Sequence, residues 1–281
     1  MTTLHDIIYL EKSYSQILGS SATSYQKFGN VYRKLVVPTV VRKSAKVITV
    51  SNFEKQRISE YFNLEEKNNL SAVYNGVGSH FKPINDLQEL QRVKQEYDLP
   101  DQFLFFLGNT DPKKNTKGTL KAYSDFRLQH SSNYKLVMLD YDPAELQKMA
   151  NEIGDPDLIN HIVLTGYVQN ADLPVIYSLC SIFLYPSLRE SFGIPILEAM
   201  SCGVPVITSN TSSMPEVAGG AAHLVNPQNV IEITAGMIKI GSDDGYRERL
   251  IQKGLNQVKK FSWQMTAKKV LANYKQLYRA K

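Results

Sequence analysis

Short apolar runs typical of buried strands alternate with helical patterns along most of this chain of 281 residues. The predicted strands are 47–50, 70–75, 103–108, 134–139, 161–168, 182–186 and 204–209. The predicted helices include FEKQRISEYF, with Ser51 and Glu54 as a capping box, and TLKAYSDFRLQ, AELQKMANEI, DLPVIYSLC and IPILEAM. This alternation predicts an α/β fold, a parallel sheet covered by helices on both faces. Ligands of such sheets bind beyond the carboxyl ends of the strands, so the loops there carry the functional signals.

The loop after the predicted strand 182–186 contains two glutamates eight positions apart, in the string ESFGIPILEAM. Glu190 lies at the mouth of the strand and Glu198 lies inside the predicted helix. The first turn of a helix has unpaired N–H groups and partial positive charge, so the backbone of Ser191–Gly193 is expected to face a phosphate. Glu190 and Glu198 would then bracket that phosphate site, whereas either glutamate taken alone fits an ordinary solvated surface residue better.

The loop after the predicted strand 103–108 reads GNTDPKKNTKG and carries Lys113, Lys114 and Lys117 at the opening of a helix. Lysines clustered at a helix N-terminus predict a second anion-binding loop. A solvated loop remains the alternative when this loop is considered alone.

The two loops together resemble retaining glycosyltransferases of family 4, which have the GT-B fold. ESFGIPILEAMSCGVPVI is similar to the E-x7-E signature of that family, with Ser191 where Gly is usual. In the lysine loop, Lys114 falls on the family's diphosphate-binding Lys and Asn109 falls on its usual Arg. The resemblance therefore implies a weaker contact at Asn109, with Lys113 taking over the second phosphate contact.

The resemblance also implies a role for each matching residue. Glu198 binds the ribose hydroxyls, and Glu190 binds the donor sugar near its reacting face. Lys114 and the helix N-terminus from Ser191 to Gly193 stabilise the departing diphosphate. That donor-binding set is Asn109, Lys113, Lys114, Glu190, Ser191, Phe192, Gly193, Ile194 and Glu198, joined by Tyr167 and Val168, whose backbone contacts the base. A nucleotide diphosphosugar is the implied donor substrate, and no metal or other cofactor is required.

The beginning of the chain departs from the family pattern. TLHDI resembles the end of a strand in the middle of the N-terminal domain, which makes His5 a candidate sugar contact and, with Glu190 and Lys114, a catalytic residue. We therefore expect two Rossmann-like domains, the N-terminal one incomplete. The expected division is a partial acceptor-side domain at 1–82 and a donor-binding domain at 83–261, with a C-terminal helix at 262–281 packing back on the first domain.

Charge is distributed unevenly. Residues 1–83 contain eleven Lys and Arg against six Asp and Glu, residues 84–248 contain twelve against twenty-one, and residues 249–281 contain nine against none. Basic ends predict an anionic membrane surface as one partner, and an incomplete N-terminal sheet predicts a partner chain or self-association. A glycan or lipid-linked molecule is the implied acceptor, and no nucleic-acid motif occurs. Without an apolar span or a signal-peptide pattern, we expect a cytoplasmic protein, peripheral at the inner face of the membrane.

Alternatives from other classes stay open at this point. Asp140 and Asp142 spell D-x-D after a strand, as in metal-dependent GT-A transferases. A donor-binding subunit without catalysis, or one half of a split enzyme, is consistent with an incomplete N-terminal domain. A GT-B nucleotide-sugar epimerase shares the fold and the donor chemistry without an acceptor. A dinucleotide oxidoreductase is disfavoured because no G-x-G-x-x-G follows a strand.

Overall fold

The structure, a computed structural model, describes residues 1–11, 13, 24–64, 69–130 and 133–279. The chain forms two compact units, the first made of Met1–Asn75 and Trp263–Lys281 and the second of Gly76–Ser262. The sequence-based boundaries lie after residues 82 and 261. Ala280 and Lys281, at the end of the predicted helix 262–281, lie outside the described residues.

The first unit contains a parallel sheet of three short strands in the order β1-β2-β3. Its elements along the chain are β1 (Thr2–Thr3), α1 (Ile8–Glu11), α2 (Ser24–Lys43), β2 (Val47–Thr49), α3 (Asn52–Phe62) and β3 (Leu70–Ala72). The predicted cap is confirmed, because the Ser51 hydroxyl accepts a hydrogen bond from the Glu54 N–H at 3.1 Å. A small core of Leu4, Ile7, Leu10, Val41, Val47, Ile58 and Phe62 lies between the sheet and its helices.

The second unit is a parallel sheet in the order β6-β5-β4-β7-β8-β9. Its strands are β4 (Phe103–Phe106), β5 (Lys135–Met138), β6 (Ile162–Leu164), β7 (Ile182–Tyr185), β8 (Val206–Ser209) and β9 (His223–Val225). Its helices are α4 (Leu87–Glu96), α5 (Thr116–Gln129), α6 (Pro143–Glu152), α7 (Leu173–Leu179), α8 (Ile194–Ser201), α9 (Met214–Ala218), α10 (Val230–Ser242) and α11 (Asp244–Gln257). Short 3-10 helices occupy Pro112–Lys114, Pro156–His161 and Val258–Lys260, and α12 (Trp263–Arg279) belongs to the first unit.

Helices cover both faces of the larger sheet because both faces of its central strands are apolar. One face presents Leu104, Phe106 and Leu184 to a core that includes residues of α5, α10 and α11. On the other face, the rings of Phe105 and Phe183 lie 5.3 and 5.2 Å from the ring of Tyr177 in α7. The α/β fold with helices on both faces, predicted from the alternation, is therefore confirmed.

Each predicted strand is present but shorter than its apolar run, because the runs continue into the loops beyond the strand ends. Helix α2 was not predicted. Val41 and Val37 on one of its faces pack in the core, while Tyr25 and Phe28 are exposed, and Pro38 interrupts the pattern. A helix with apolar residues on opposite faces lacks the single apolar stripe from which a helix is recognised.

Candidate active site

The site lies where the direction of the strand order reverses, between β4 and β7. These strands are neighbours in the middle of the sheet, although β5, β6 and their helices lie between them along the chain. Chain connections leave such a pair of strands in opposite directions, which opens a crevice beyond their carboxyl ends. The loops that border the crevice are the lysine loop after β4 and the glutamate loop after β7.

Short-range hydrogen bonds shape the lysine loop. The Asn109 side chain accepts a hydrogen bond from the Asp111 N–H at 2.9 Å, and the Asp111 side chain accepts one from the Lys113 N–H at 3.1 Å. Asn115 then adopts a left-handed conformation with φ 57°, and its amide donates to the carbonyls of Pro186 and Pro227 at 3.1 and 2.6 Å. These bonds hold the loop against the strand-β7 side of the crevice and fix the backbone that carries Lys114.

Lys114 joins the two loops directly. Its ammonium donates to Glu190 Oε1 at 2.7 Å and to the Tyr185 hydroxyl at 2.9 Å, across sequence separations of 76 and 71 residues. The side chains of Lys114 and Glu190 are only 16% and 11% exposed, so water screens this ion pair little. Burial, together with the Glu190 and Glu198 carboxylates, raises the pKa of Tyr185 well above its ordinary value. Tyr185 therefore stays a neutral phenol beside both glutamates.

Three serines hold the glutamate loop in its shape. Ser212 and Ser213 both donate to the Glu190 carbonyl, at 2.6 and 2.9 Å, and Ser213 also lies 2.9 Å from the Phe192 carbonyl. The Glu190 N–H donates back to the Ser212 hydroxyl at 3.1 Å, and Ser209 donates to the Ser187 carbonyl at 2.6 Å. Buried loop carbonyls need such partners, and these hydroxyls supply them from the β8 end of the sheet.

Helix α8 begins directly after this loop with Gly193 as its N-cap. Gly193 has φ 100°, a left-handed conformation that suits glycine, and its lack of a side chain leaves the N-cap without a side-chain hydrogen bond. Phe192 is buried and packs edge-on against Phe261 at 5.9 Å. The helix start from Ser191 to Ile194 is thus where it was predicted, with Ile194 as the first helical residue.

Glu198 lies one to two turns into α8 and accepts a hydrogen bond from the Tyr177 hydroxyl at 3.1 Å. Burial raises the pKa of Glu198, and the hydrogen bond from Tyr177 opposes that shift. Burial and the Glu198 carboxylate raise the pKa of Tyr177 well above its ordinary value, so Tyr177 stays a hydrogen-bond donor. The site therefore contains two carboxylates, each oriented by a tyrosine, and one ammonium group.

The remaining predicted residues are more dispersed. Lys113 pairs with Asp111 at 3.7 Å, and Lys117 pairs with Glu152 of α6 at 2.7 Å rather than joining Lys114. Tyr167 is 78% exposed and Val168 is buried, both in the loop after β6. His5 is exposed and follows β1 in the first unit, where its carbonyl accepts a hydrogen bond from Thr49 at 3.4 Å. In the D-x-D motif, Asp142 caps α6 by accepting a hydrogen bond from the Ala144 N–H at 2.8 Å.

Sequence reasoning missed the residues that orient the site: Tyr177, Tyr185, Asn115, Ser212 and Ser213. Tyr177 lies within the predicted helix DLPVIYSLC and Tyr185 within the predicted strand 182–186, and neither was assigned a polar role. A tyrosine within a predicted buried segment is itself a signal, because a buried phenol needs a hydrogen-bond partner and so indicates a polar group nearby.

The chain is similar in sequence to known proteins. The sequence profile described as "Glycosyl transferases group 1" matches residues 88–257. The O-antigen chain mannosyltransferase B of Escherichia coli is 36% identical over 236 residues, which are 83% of this chain and 61% of that protein. The serotype-specific mannosyltransferase WbdA of Escherichia coli is 31% identical over 234 residues, which are 82% of this chain and 29% of that protein. The chain thus spans less than two thirds of the length of these relatives.

Solved structures share the fold. Anabaena Alr3699/HepE in complex with UDP and glucose has a TM-score of 0.77 at 17% identity, covering 98% of this chain and 70% of that chain. Sucrose-phosphate synthase from Thermosynechococcus elongatus has a TM-score of 0.76 at 20% identity, covering 99% of this chain and 68% of that chain.

The fold and its crevice define a protein of the GT-B type, as predicted from the two loops. The match to the profile covers more than half of the chain, and the chain belongs to the glycosyl transferases group 1 family.

Proposed function

We propose that this protein is a retaining glycosyltransferase of the family 4 type, which transfers mannose from a nucleotide diphosphosugar to a glycan or lipid-linked acceptor in polysaccharide synthesis. The observation that carries the proposal is the Lys114–Glu190 ion pair of 2.7 Å at the point where the strand order reverses. The mannose part rests on the similarity to the two Escherichia coli mannosyltransferases. A cytoplasmic reaction is part of the proposal and rests on the sequence alone.

Lys114 has the right number of donors for this role. An ammonium group has three N–H donors, of which one is directed at Glu190 and one at Tyr185. The third is left for an oxygen of the diphosphate, so Lys114 binds the leaving group without releasing the carboxylate that holds it in place. The first N–H groups of α8 add partial positive charge to the same diphosphate.

Sugar transfer from a diphosphate develops negative charge on the leaving oxygen. Donors that are already fixed in a protected crevice stabilise that charge more effectively than water, because they need not reorient. In this proposal Lys114 and the α8 N-terminus supply that stabilisation and no metal is required. Glu190 contacts the donor sugar, Glu198 the ribose, and the backbone of Tyr167 and Val168 the base, while Asn109 and Lys113 flank the diphosphate.

The first unit has the acceptor-side role in this proposal, with His5 as a sugar contact. His5 lies two residues beyond the end of β1, at the carboxyl end of a parallel strand, where ligands of α/β sheets bind.

Calorimetry with UDP and GDP tests the donor site. Glu198→Ala should remove hydrogen bonds from a carboxylate to ribose and weaken nucleotide binding by roughly 1.5–3 kcal/mol. Glu248→Ala, an exposed glutamate on α11, is the matched control and should leave affinity unchanged. Equal affinities of Glu198→Ala and wild type for every nucleotide that wild type binds would refute the assignment of Glu198.

Transfer assays with GDP-mannose and UDP-glucose test the reaction itself. Donor turnover that survives EDTA supports the role of Lys114, whereas activity that requires added Mn²⁺ or Mg²⁺ would contradict it. The anomeric configuration of the product, read by NMR, tests retention. Tight nucleotide binding with no transfer to any acceptor would instead favour a donor-binding subunit.

A further inference from the structure

Helix α2 carries a row of large apolar side chains on its outer surface. Tyr25, Phe28, Tyr32 and Leu35 are 87%, 74%, 57% and 65% exposed. Their spacing of three, four and three residues aligns them on one side of the helix. The inner side is separate, because Val41 is 1% exposed and belongs to the core of the first unit. We call Tyr25, Phe28, Tyr32 and Leu35 the outer row.

The same helix is strongly cationic. It contains Lys27, Arg33, Lys34, Arg42 and Lys43 and no aspartate or glutamate. Arg42 and Lys43 are exposed in its last turn. The whole first unit contains fifteen Lys and Arg against six Asp and Glu, a net charge of +9. Helix α12 of the same unit likewise has basic residues and no acidic ones.

A continuous row of exposed aromatic and aliphatic side chains marks an interaction surface rather than ordinary protein surface. Two kinds of occupant cover such a row: a second protein surface or a lipid bilayer. In a symmetric dimer the same patch meets itself, so the exposed Arg42 and Lys43 of α2 would face the same two cations of the other copy. In an anionic bilayer, the outer row would instead be buried at the boundary between headgroups and acyl chains, and the flanking cations would lie near negatively charged headgroups.

We propose that the outer row of α2 docks on an anionic membrane surface, with its rings at the level of the lipid headgroups and with Arg42 and Lys43 against the phosphates. The helix lies on the membrane and does not cross it: across the described ranges, no helix is both long and apolar enough to span a bilayer. This docking does not depend on sugar transfer, so it is measured separately from the proposed reaction.

Vesicle sedimentation with the full chain tests the proposal, using phosphatidylcholine vesicles with and without phosphatidylglycerol. Wild type should bind only the phosphatidylglycerol vesicles, and binding should weaken at high salt because the charges are screened. Phe28→Ser/Leu35→Ser should lower the partition coefficient at least about tenfold, since two buried apolar side chains are lost. Arg42→Gln/Lys43→Gln should lower it about 30-fold, since each cation near the surface contributes about a factor of five.

Matched variants of the second unit provide the controls. Leu87→Ser/Ile231→Ser changes two side chains that are each 79% exposed, and Lys148→Gln/Lys253→Gln removes two exposed charges. Both should bind vesicles within about twofold of wild type, because these surfaces stay in solvent. Circular dichroism and thermal unfolding establish that every variant is folded.

Three results would overturn the proposal. The first is a wild-type protein that does not sediment with anionic vesicles. The second is an equal loss of binding in the α2 variants and in their controls. The third is a dimer in sedimentation velocity that Phe28→Ser/Leu35→Ser converts to a monomer while vesicle binding stays unchanged.

Discussion

The two units of this protein use charge in opposite ways. The second unit has seventeen Lys and Arg against twenty-one Asp and Glu, a net charge of −4, against +9 for the first. Its Lys114–Glu190 pair measures 2.7 Å with side chains 16% and 11% exposed, whereas Arg57–Glu11 in the first unit measures 2.8 Å with side chains 43% and 26% exposed. Nearly equal distances thus conceal different environments, and burial decides how much each pair contributes to stability.

The largest expected difference between the units is the effect of removing one cation. Lys114→Met should lower the free energy of unfolding by about 3–5 kcal/mol, because it leaves the buried Glu190 carboxylate without its ion pair. Arg57→Met should cost about 0–1 kcal/mol, because solvent screens the exposed pair. Urea unfolding followed by circular dichroism measures both, and fluorescence of Trp263, the single tryptophan, reports on the first unit alone.

Lys114→Met/Glu190→Gln separates the ion pair from packing. If the unpaired carboxylate causes the loss, this double variant should recover much of the stability that Lys114→Met removes. Two results would contradict this comparison. One is a double variant that is no more stable than Lys114→Met, and the other is an Arg57→Met variant that is as unstable as Lys114→Met.

Replacing a serine by alanine should weaken nucleotide binding in the second unit, at Ser213, but not in the first unit, at Ser51. Ser213→Ala removes a buried hydroxyl from the Glu190 and Phe192 carbonyls and should cost about 1–3 kcal/mol of stability. It should also weaken nucleotide binding, because the loop that presents Glu190 is loosened. Ser51→Ala in the first unit should cost roughly 0.5–2 kcal/mol through the lost cap and leave nucleotide affinity unchanged. Calorimetry beside urea unfolding distinguishes the two; equal nucleotide affinities in both variants would argue against a role of Ser213 in the site.

Two glycines should respond to alanine with opposite signs. Gly193 has φ 100° and an added Cβ would lie 3.1 Å from Ile196 Cδ1, so Gly193→Ala should cost about 1–2 kcal/mol. Gly29 lies within α2 and an added Cβ would meet nothing within 4 Å, so Gly29→Ala should stabilise by about 0.5–1 kcal/mol. Thermal unfolding of the two variants measures the contrast, and a stabilised Gly193→Ala variant would show that the start of α8 is not strained.

The smallest effect concerns the pH dependence of stability. Burial raises the folded-state pKa of Glu198 above its ordinary value of 4.5, so the folded protein holds this proton more tightly than the unfolded chain. Stability is therefore lost as pH rises from 4.5 through the folded-state pKa, and Glu198→Gln avoids that loss. The variant should match wild type at lower pH and exceed its melting temperature increasingly as pH rises.

Tyr9 is the comparison for Glu198 in the first unit. Burial and Asp6 raise the pKa of Tyr9 to about 12 from an ordinary value of 10.0, so Tyr9→Phe should change the pH dependence only in the alkaline range. A Glu198→Gln variant whose melting temperature differs from that of wild type by a constant amount at every pH would contradict the proposed titration.

Much of the second unit could be predicted because its signals are local. Each buried strand is an apolar run, and the helix start at Ser191–Ile194 follows from one glycine and the apolar pattern after it. Helix α2 was not predicted because its apolar residues lie on two opposite sides. The structure separates the two sides, since Val41 packs in the core whereas the outer row is exposed.

The sequence by itself determined the alternating elements and singled out the loops after β4 and β7 as the candidate site, with Lys114, Glu190 and Glu198 among their charged residues. Only the tertiary structure decided that Lys114 meets Glu190 and Tyr185, that Lys117 pairs with Glu152, and that Tyr177 orients Glu198. Periodicity reports on neighbours along the chain, whereas a contact across 76 residues depends on the order of strands in the sheet. That order, by making β4 and β7 neighbours, brings the two loops together and creates the site.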